Sequence, residues 1–309
     1  MQPEPCKRVH ATICHMGRAR AWRYLVRMNT RMSRLVGASL LAPAIFVSGC
    51  GDSVATQSYS LTFDATFGDD PFVCGETVTG LGESGDQSLT VRDARLYVHD
   101  VRLVNAAGDE VALDLTQNAF QHETVAYLDF ADSTDPDCAG SPETRVVVEG
   151  TAPIGDYVGV RFTVGLPPEV NHSNAAVAAS PLNITDMFWS WQSGYTFVRL
   201  DGESSGLPDW RFHLGSTGCV GDPVMGEETT CAAPNMVAVE LMGLDLATDR
   251  IRMDLAELVA GADLDTNTPE TAPGCMAGAT DPDCTPYFEA LGLPHASSPA
   301  GTQRLFTVD

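Results

Sequence analysis

The chain has 309 residues and a formal net charge of −23 at pH 7, from 18 Lys and Arg against 41 Asp and Glu. Eight of the basic side chains and one acid, Glu4, lie in residues 1–49, so the remainder sets ten basic side chains against forty acidic ones and contains no lysine. Such a surface repels nucleic acid and anionic lipid, which excludes both as partners, and no later apolar run approaches the ~20 residues of a membrane-spanning helix.

The first element in chain order is a leader. Arg31 and Arg34 precede an apolar run, Leu35 to Val47, which leads into Val47-Ser48-Gly49-Cys50. A basic segment, an apolar segment and small residues before a cysteine form the pattern of a bacterial lipoprotein signal. The expected organisation is a signal peptide over residues 1–49, with Met28 or Met32 as a workable start, and lipidation of Cys50. Residues 50–57 are then a lipidated tether, and residues 58–309 a domain held on the periplasmic side of the envelope by lipid alone. Gly51, in place of an aspartate after the cysteine, points to the outer membrane.

Beyond the tether the apolar pattern has a period of two. Strands are predicted over Ser60–Phe67, Leu89–Val104 with a bend inside, Val111–Leu115, Val125–Phe130, Arg145–Glu149, Tyr157–Val164, Tyr195–Leu200, Trp210–Leu214 and Met236–Leu246. β-branched and aromatic residues fill these runs, and Gly, Asp, Asn and Pro punctuate them. Asp254-Leu-Ala-Glu257 fits a capping box with Gly261 as its stop, and Thr285-Pro286 starts a second short helix that ends near Gly292. Leu305-Phe306 adds a last strand. The predicted fold is all-β: a single β-sandwich-like domain with a few short helices and disulfide-linked loops.

Six cysteines follow Cys50: Cys74, Cys138, Cys219, Cys231, Cys275 and Cys284. An even number in an oxidising compartment argues for disulfides, and none of the spacings is the C-x-x-C of a thiolate metal site. Six cysteines allow about fifteen pairings and sequence alone does not choose. Short loops favour Cys219–Cys231 and Cys275–Cys284, which leaves Cys74–Cys138.

Three motifs resemble catalytic or ligand loops without their context. Gly202-Glu-Ser204-Ser-Gly206 matches a nucleophile elbow, but Leu207-Pro208-Asp209 breaks the helix that must follow. Gly80-Leu-Gly82-Glu-Ser-Gly85 matches a dinucleotide pattern, yet Ser88–Val91 reads as a strand, not a helix. Asp263-Leu-Asp265-Thr-Asn267 opens like a calcium loop but lacks the sixth-position glycine and twelfth-position acid.

The histidines are more informative. Asn171-His172 follows a Gly165-Leu-Pro-Pro168 loop, and His213 lies near the end of a strand before Cys219. Between them runs Met187-Phe-Trp189-Ser-Trp191-Gln-Ser-Gly-Tyr195. Neutral imidazoles suit copper and zinc, and thioether sulfur suits Cu(I). An intact indole offers no ligand, because its nitrogen only donates.

These blocks resemble the MbnP-like family of periplasmic copper-binding proteins, also described as metallo-mystery pair four-Cys proteins. The resemblance rests on Phe72-Val-Cys74-Gly, on Asp93-Ala-Arg-Leu-Tyr-Val-His-Asp-Val-Arg-Leu103, and on Val164-Gly-Leu-Pro167 with Asn171-His172. It continues through Leu128-Asp-Phe130, Pro181-Leu-Asn183, the Phe-Trp-Ser-Trp block, His213-Leu-Gly-Ser-Thr-Gly-Cys219, Ala233-Pro-Asn235 and Gly274-Cys-Met276. It implies that the family's four cysteines are Cys219, Cys231, Cys275 and Cys284. It also implies a diheme cytochrome peroxidase-like (MauG-like) partner that oxidises a tryptophan, Trp189 or Trp191, to kynurenine. The aniline nitrogen and ketone so formed join histidines around copper. Carried over by motif, His172 and His213 are the first ligands, His99 ranks third, and Met187 and Met276 are soft candidates. The expectation is a lipid-anchored copper-binding protein, not itself an enzyme, with a role in copper handling. The rival is a metal-independent surface lipoprotein whose Trp189, Trp191 and Trp210 hold a carbohydrate or a protein.

Overall fold

The long alternating run becomes one strand, Gln87–Asn105, and the rest of the domain is arranged on it. The structure is a computed structural model that describes residues 54–309 apart from 134–135, 191, 222–224 and 226. The leader, the lipobox cysteine Cys50 and Trp191 therefore lie outside the described residues. The predicted bend falls at Asp100, whose φ is +50°. There the pairing with Tyr157–Val164 shifts register between Arg161 and Thr163, so the long strand carries an extra residue, as in a β-bulge. The bend lets one strand change partners along its length. Its first half pairs with Gly194–Ser204 and Thr77–Leu81, and its second half with Tyr157–Val164 and Glu110–Ala112.

The larger sheet runs in the order Val237–Met242, Tyr157–Val164, Gln87–Asn105, Gly194–Ser204, Trp210–Gly215, Gly274–Cys275. A second sheet runs Phe306–Val308, Ile251–Asp254, Thr56–Phe67, Val147–Pro153, Asp114–Leu115. Alternation drives their packing: Leu61, Phe63 and Ala65 point inward from one sheet, and Val160, Phe162 and Val164 from the other. Phe162 sits edge-on to both Phe63 and Phe306, at centroid distances of 5.5 and 5.3 Å, so aromatic pairs lock the two layers together. The all-β, sandwich-like expectation holds.

A second apolar cluster covers part of the larger sheet. Tyr97, Tyr127, Tyr195 and Phe197 pack there against Leu166, Leu182 and Met187 from the 165–190 segment. That segment thus has its own core, which anchors the loops that carry His172 and Trp189.

Local differences from the sequence expectation have local causes. The strand predicted over Met236–Leu246 ends at Met242, because Gly243 turns with φ +81°. Val111–Leu115 divides into Glu110–Ala112 and Asp114–Leu115, which join different sheets. The apparent dinucleotide loop is instead a hairpin between Thr77–Leu81 and the long strand. Both predicted helices form. Asp254 caps Leu255–Val259 by accepting from the backbone N–H of Ala256 at 2.9 Å, and Thr285–Ala290 carries Pro286 in its first turn. The hairpin of Thr217–Val220 and Thr230–Ala233 was not predicted, and it forms a two-stranded sheet of its own. The cysteines pair as Cys74–Cys138, Cys219–Cys231 and Cys275–Cys284.

Candidate metal centre

His213 owes its setting to a hairpin register. On Trp210–Gly215 the side chains of Trp210, Phe212 and Leu214 enter the main core. His213 takes the opposite face, directly across from Arg199 on the neighbouring strand. Alternation places Asp201 on that same face. The Nε2 of His213 lies 2.6 Å from Asp201 Oδ1. A carboxylate only accepts, so Nε2 carries the proton and donates it. The Nδ1 of His213 is left buried without a hydrogen-bond partner. An orphaned buried nitrogen with a fixed lone pair, backed by a carboxylate on the other side of the ring, is the arrangement of a metal-ligating histidine.

Asp201 is itself held in place. Arg199 reaches it at 2.6 Å through Nη2 and reaches Asp93 at 2.9 Å through Nε, while Arg95 pairs with Asp93 from the other side. Burial alone would raise the Asp201 carboxyl, but the hydrogen bond from His213 and the Arg199 guanidinium outweigh it and hold the group below its ordinary value. Asp201 is therefore ionised wherever His213 needs an acceptor.

Trp189 is an aromatic neighbour of this histidine. It lies on the short strand Phe188–Ser190, which pairs with the start of Gly194–Ser204. Its ring centroid is 6.5 Å from that of His213, with the planes inclined by 33°. The indole packs over Gly215, where a Cβ would sit 2.6 Å from its Cζ3. Trp189 and Met276 together line two cavities. One, of about 520 Å³, also holds His213, Asp201 and Arg199. The other, of about 410 Å³, holds Gln192, Ser216 and Cys219. Met276 is positioned by its neighbour Cys275, which pairs with Phe212 in the sheet and bonds to Cys284.

His172 is placed elsewhere. It caps the short helix Pro168–Asn171 and lines a separate cavity of about 390 Å³ with Glu169 and Glu228. Its Nε2 is 3.3 Å from Asn171 Nδ2 and 3.4 Å from Cys231 Sγ. Asn171 ties this loop to the His213 side: its Oδ1 accepts from the Tyr195 N–H at 2.9 Å, and its Nδ2 donates to Ser216 Oγ at 3.2 Å. The two first-choice histidines thus line different cavities.

The other predicted residues are distributed as follows. His99 is half-buried on the long strand, with Nδ1 donating to the Gly165 carbonyl at 2.8 Å, and burial lowers its pKa. Met187 is fully buried in the second apolar cluster. Trp210 is fully buried, with its N–H donating to Tyr287 Oη at 3.1 Å, so it presents no ligand-binding face. Trp191 lies outside the described residues. The Ser204 hydroxyl donates to the Leu264 carbonyl at the end of a strand, and no helix follows it. The Asp263 carboxylate is taken up by the N–H groups of Asp265 and Thr266 and by Gln87.

Asp201 and Arg199 escaped the sequence reading. The signal was present in principle: two charged residues at alternate positions on a strand whose hairpin partner carries the histidine.

A sequence model of the MbnP family matches residues 56–277. Among solved structures, MbnP from Methylosinus trichosporium is similar to this chain, with 35% identity and a TM-score of 0.75; the match covers 82% of this chain and 99% of that one. No curated protein sequence matches. A match over most of the chain in both sequence and structure establishes the relationship: the chain belongs to the MbnP family.

Proposed function

We propose that the protein is a lipid-anchored copper-binding member of its family, not itself an enzyme, with its centre built on His213, Trp189 and Met276. The observation that carries this reading is the buried, partnerless Nδ1 of His213, on a ring that Asp201 fixes and that belongs to a residue lining one cavity with Trp189 and Met276. Imidazole and thioether suit Cu(I). Indole does not ligate, so Trp189 joins the centre only after oxidation. Cleavage of its C2–C3 bond by two equivalents of a peroxide-class oxidant, acting through a diheme MauG-like partner, places one oxygen on each carbon, releases two waters and gives an N-formyl ketone. Hydrolysis then releases formate and leaves an aniline nitrogen beside a ketone oxygen. Copper affinity then depends on prior oxidation.

Within the chain, each residue has a limited task. Asp201 keeps the proton on Nε2, Arg199 holds Asp201, and Gly215 leaves room for the indole. The test is copper binding by the partner-treated protein. His213→Ala should abolish tight binding while the fold persists by circular dichroism; unchanged affinity in that variant would refute the assignment.

A further inference from the structure

The Cys219–Cys231 disulfide has a histidine against it. Among the described residues, His172, Cys219 and Cys231 form the group of potential ligand atoms that all lie within 4.8 Å of one another. While the disulfide is closed, the sulfurs have no thiolate to offer. We propose that two-electron reduction of this disulfide opens a second site for a thiophilic metal ion of the Cu(I) or Zn(II) class, with Cys219, Cys231 and His172 as ligands.

Several features support a site that assembles without refolding. Cys219 and Cys231 face each other across the hairpin of Thr217–Val220 and Thr230–Ala233, whose backbone pairing also joins Thr217 to Ala233 and Val220 to Thr230. Cross-strand partners stay about 5 Å apart whether or not their side chains are bonded, so the thiols remain opposed after reduction. The hairpin belongs to neither large sheet, and both cysteines are partly exposed, whereas Cys275 and Cys284 are fully buried in the main core. A reductant therefore has access to this bond that it lacks at Cys275–Cys284. His172 is held by the adjoining helix and sits 8% exposed, with Nε2 already 3.4 Å from the Cys231 sulfur. The cavity in front of it carries Glu169 and Glu228, both exposed, which raise the local cation concentration.

The chemistry balances with a dithiol as reductant. Thiol–disulfide exchange breaks the S–S bond through a mixed disulfide and leaves two protein thiols and an oxidised, cyclised reductant. Metal binding then releases the two thiol protons, and neutral His172 supplies the third ligand. Two thiolates and an imidazole make a soft donor set quite unlike that of the His213 centre. Cys219 also lines the cavity shared by Trp189 and Met276, so the reduced hairpin would place the two sites side by side.

The mature protein, reduced with dithiothreitol and desalted under anaerobic conditions, would be titrated with Co(II) as a spectroscopic probe. The expected result is one equivalent of tetrahedral, thiolate-bound Co(II), visible as charge-transfer and d–d bands and displaced by Cu(I). The oxidised protein should show neither band. The reduced Cys219→Ser/Cys231→Ser variant retains every other cysteine and should also show neither, which removes the contribution of other thiols. His172→Ala and the less disruptive His172→Gln should each weaken Co(II) binding by at least about tenfold, the loss typical of even an outer-shell metal partner. His213→Ala should leave the bands unchanged, which separates this proposal from the primary centre. Absence of the bands in reduced wild-type protein, or equal bands in the double-serine variant, would overturn it. So would undiminished affinity in both His172 variants.

Discussion

At the scale of single residues, the account turns on which nitrogen of His213 is available. The Asp201 carboxylate fixes that choice at a distance of 2.6 Å. An amide in its place can turn its NH₂ toward the ring and remove the acceptor that orients it. Asp201→Asn should therefore lower copper affinity by roughly 10- to 100-fold, with the thermal midpoint little changed, as isothermal titration beside calorimetry would show. Gly215 supplies an independent probe. A methyl group there would lie 2.6 Å from the Trp189 ring, so Gly215→Ala should displace the indole and cost about 1–3 kcal/mol. The expected signature is a shift in tryptophan emission with parallel loss of copper binding. His213 and Trp189 were legible in the sequence because each sits in a distinctive block. Asp201 was not, because it meets His213 only through a hairpin register that no local pattern specifies.

At the scale of elements, the site is precise because it is mounted on strands. His213 shares a strand with Phe212, which stacks on Tyr287 at 5.1 Å and is fully buried. Phe212→Ala should cost about 3–5 kcal/mol in denaturant unfolding and loosen the histidine with it. Most strands could be read from alternation, and the capped helix from Asp254 and Glu257. The Thr217–Val220 hairpin escaped because none of that strand's positions is buried and its one branched apolar residue, Val220, is exposed, so hydrophobic period conveys nothing there. Its two cysteines were legible only as a short disulfide loop. That His172 stands against that disulfide depends on how the 165–190 segment folds over the sheet, which rests on contacts distant in sequence.

At the scale of the whole molecule, charge and burial set how the domain responds to its medium. Burial lowers the pKa of His99 from its ordinary 6.5, so the folded state binds fewer protons than the unfolded chain below that pH. Its contribution to stability is complete above 6.5 and is lost as pH falls toward the lowered folded value. The thermal midpoint should decline on acidification through this range, and His99→Gln, which keeps a donor for the Gly165 carbonyl, should flatten that limb. Asp201, also lowered, adds a second loss below the ordinary carboxylate value of 3.8. The central claim concerns the copper centre, and the most direct test is a mass map of the peptide carrying Trp189 and Trp191 in protein purified from its native cells. The account predicts a ring-opened, oxidised residue at Trp189, beside His213 and Met276. An intact indole at Trp189 in protein that nonetheless binds copper tightly would contradict it.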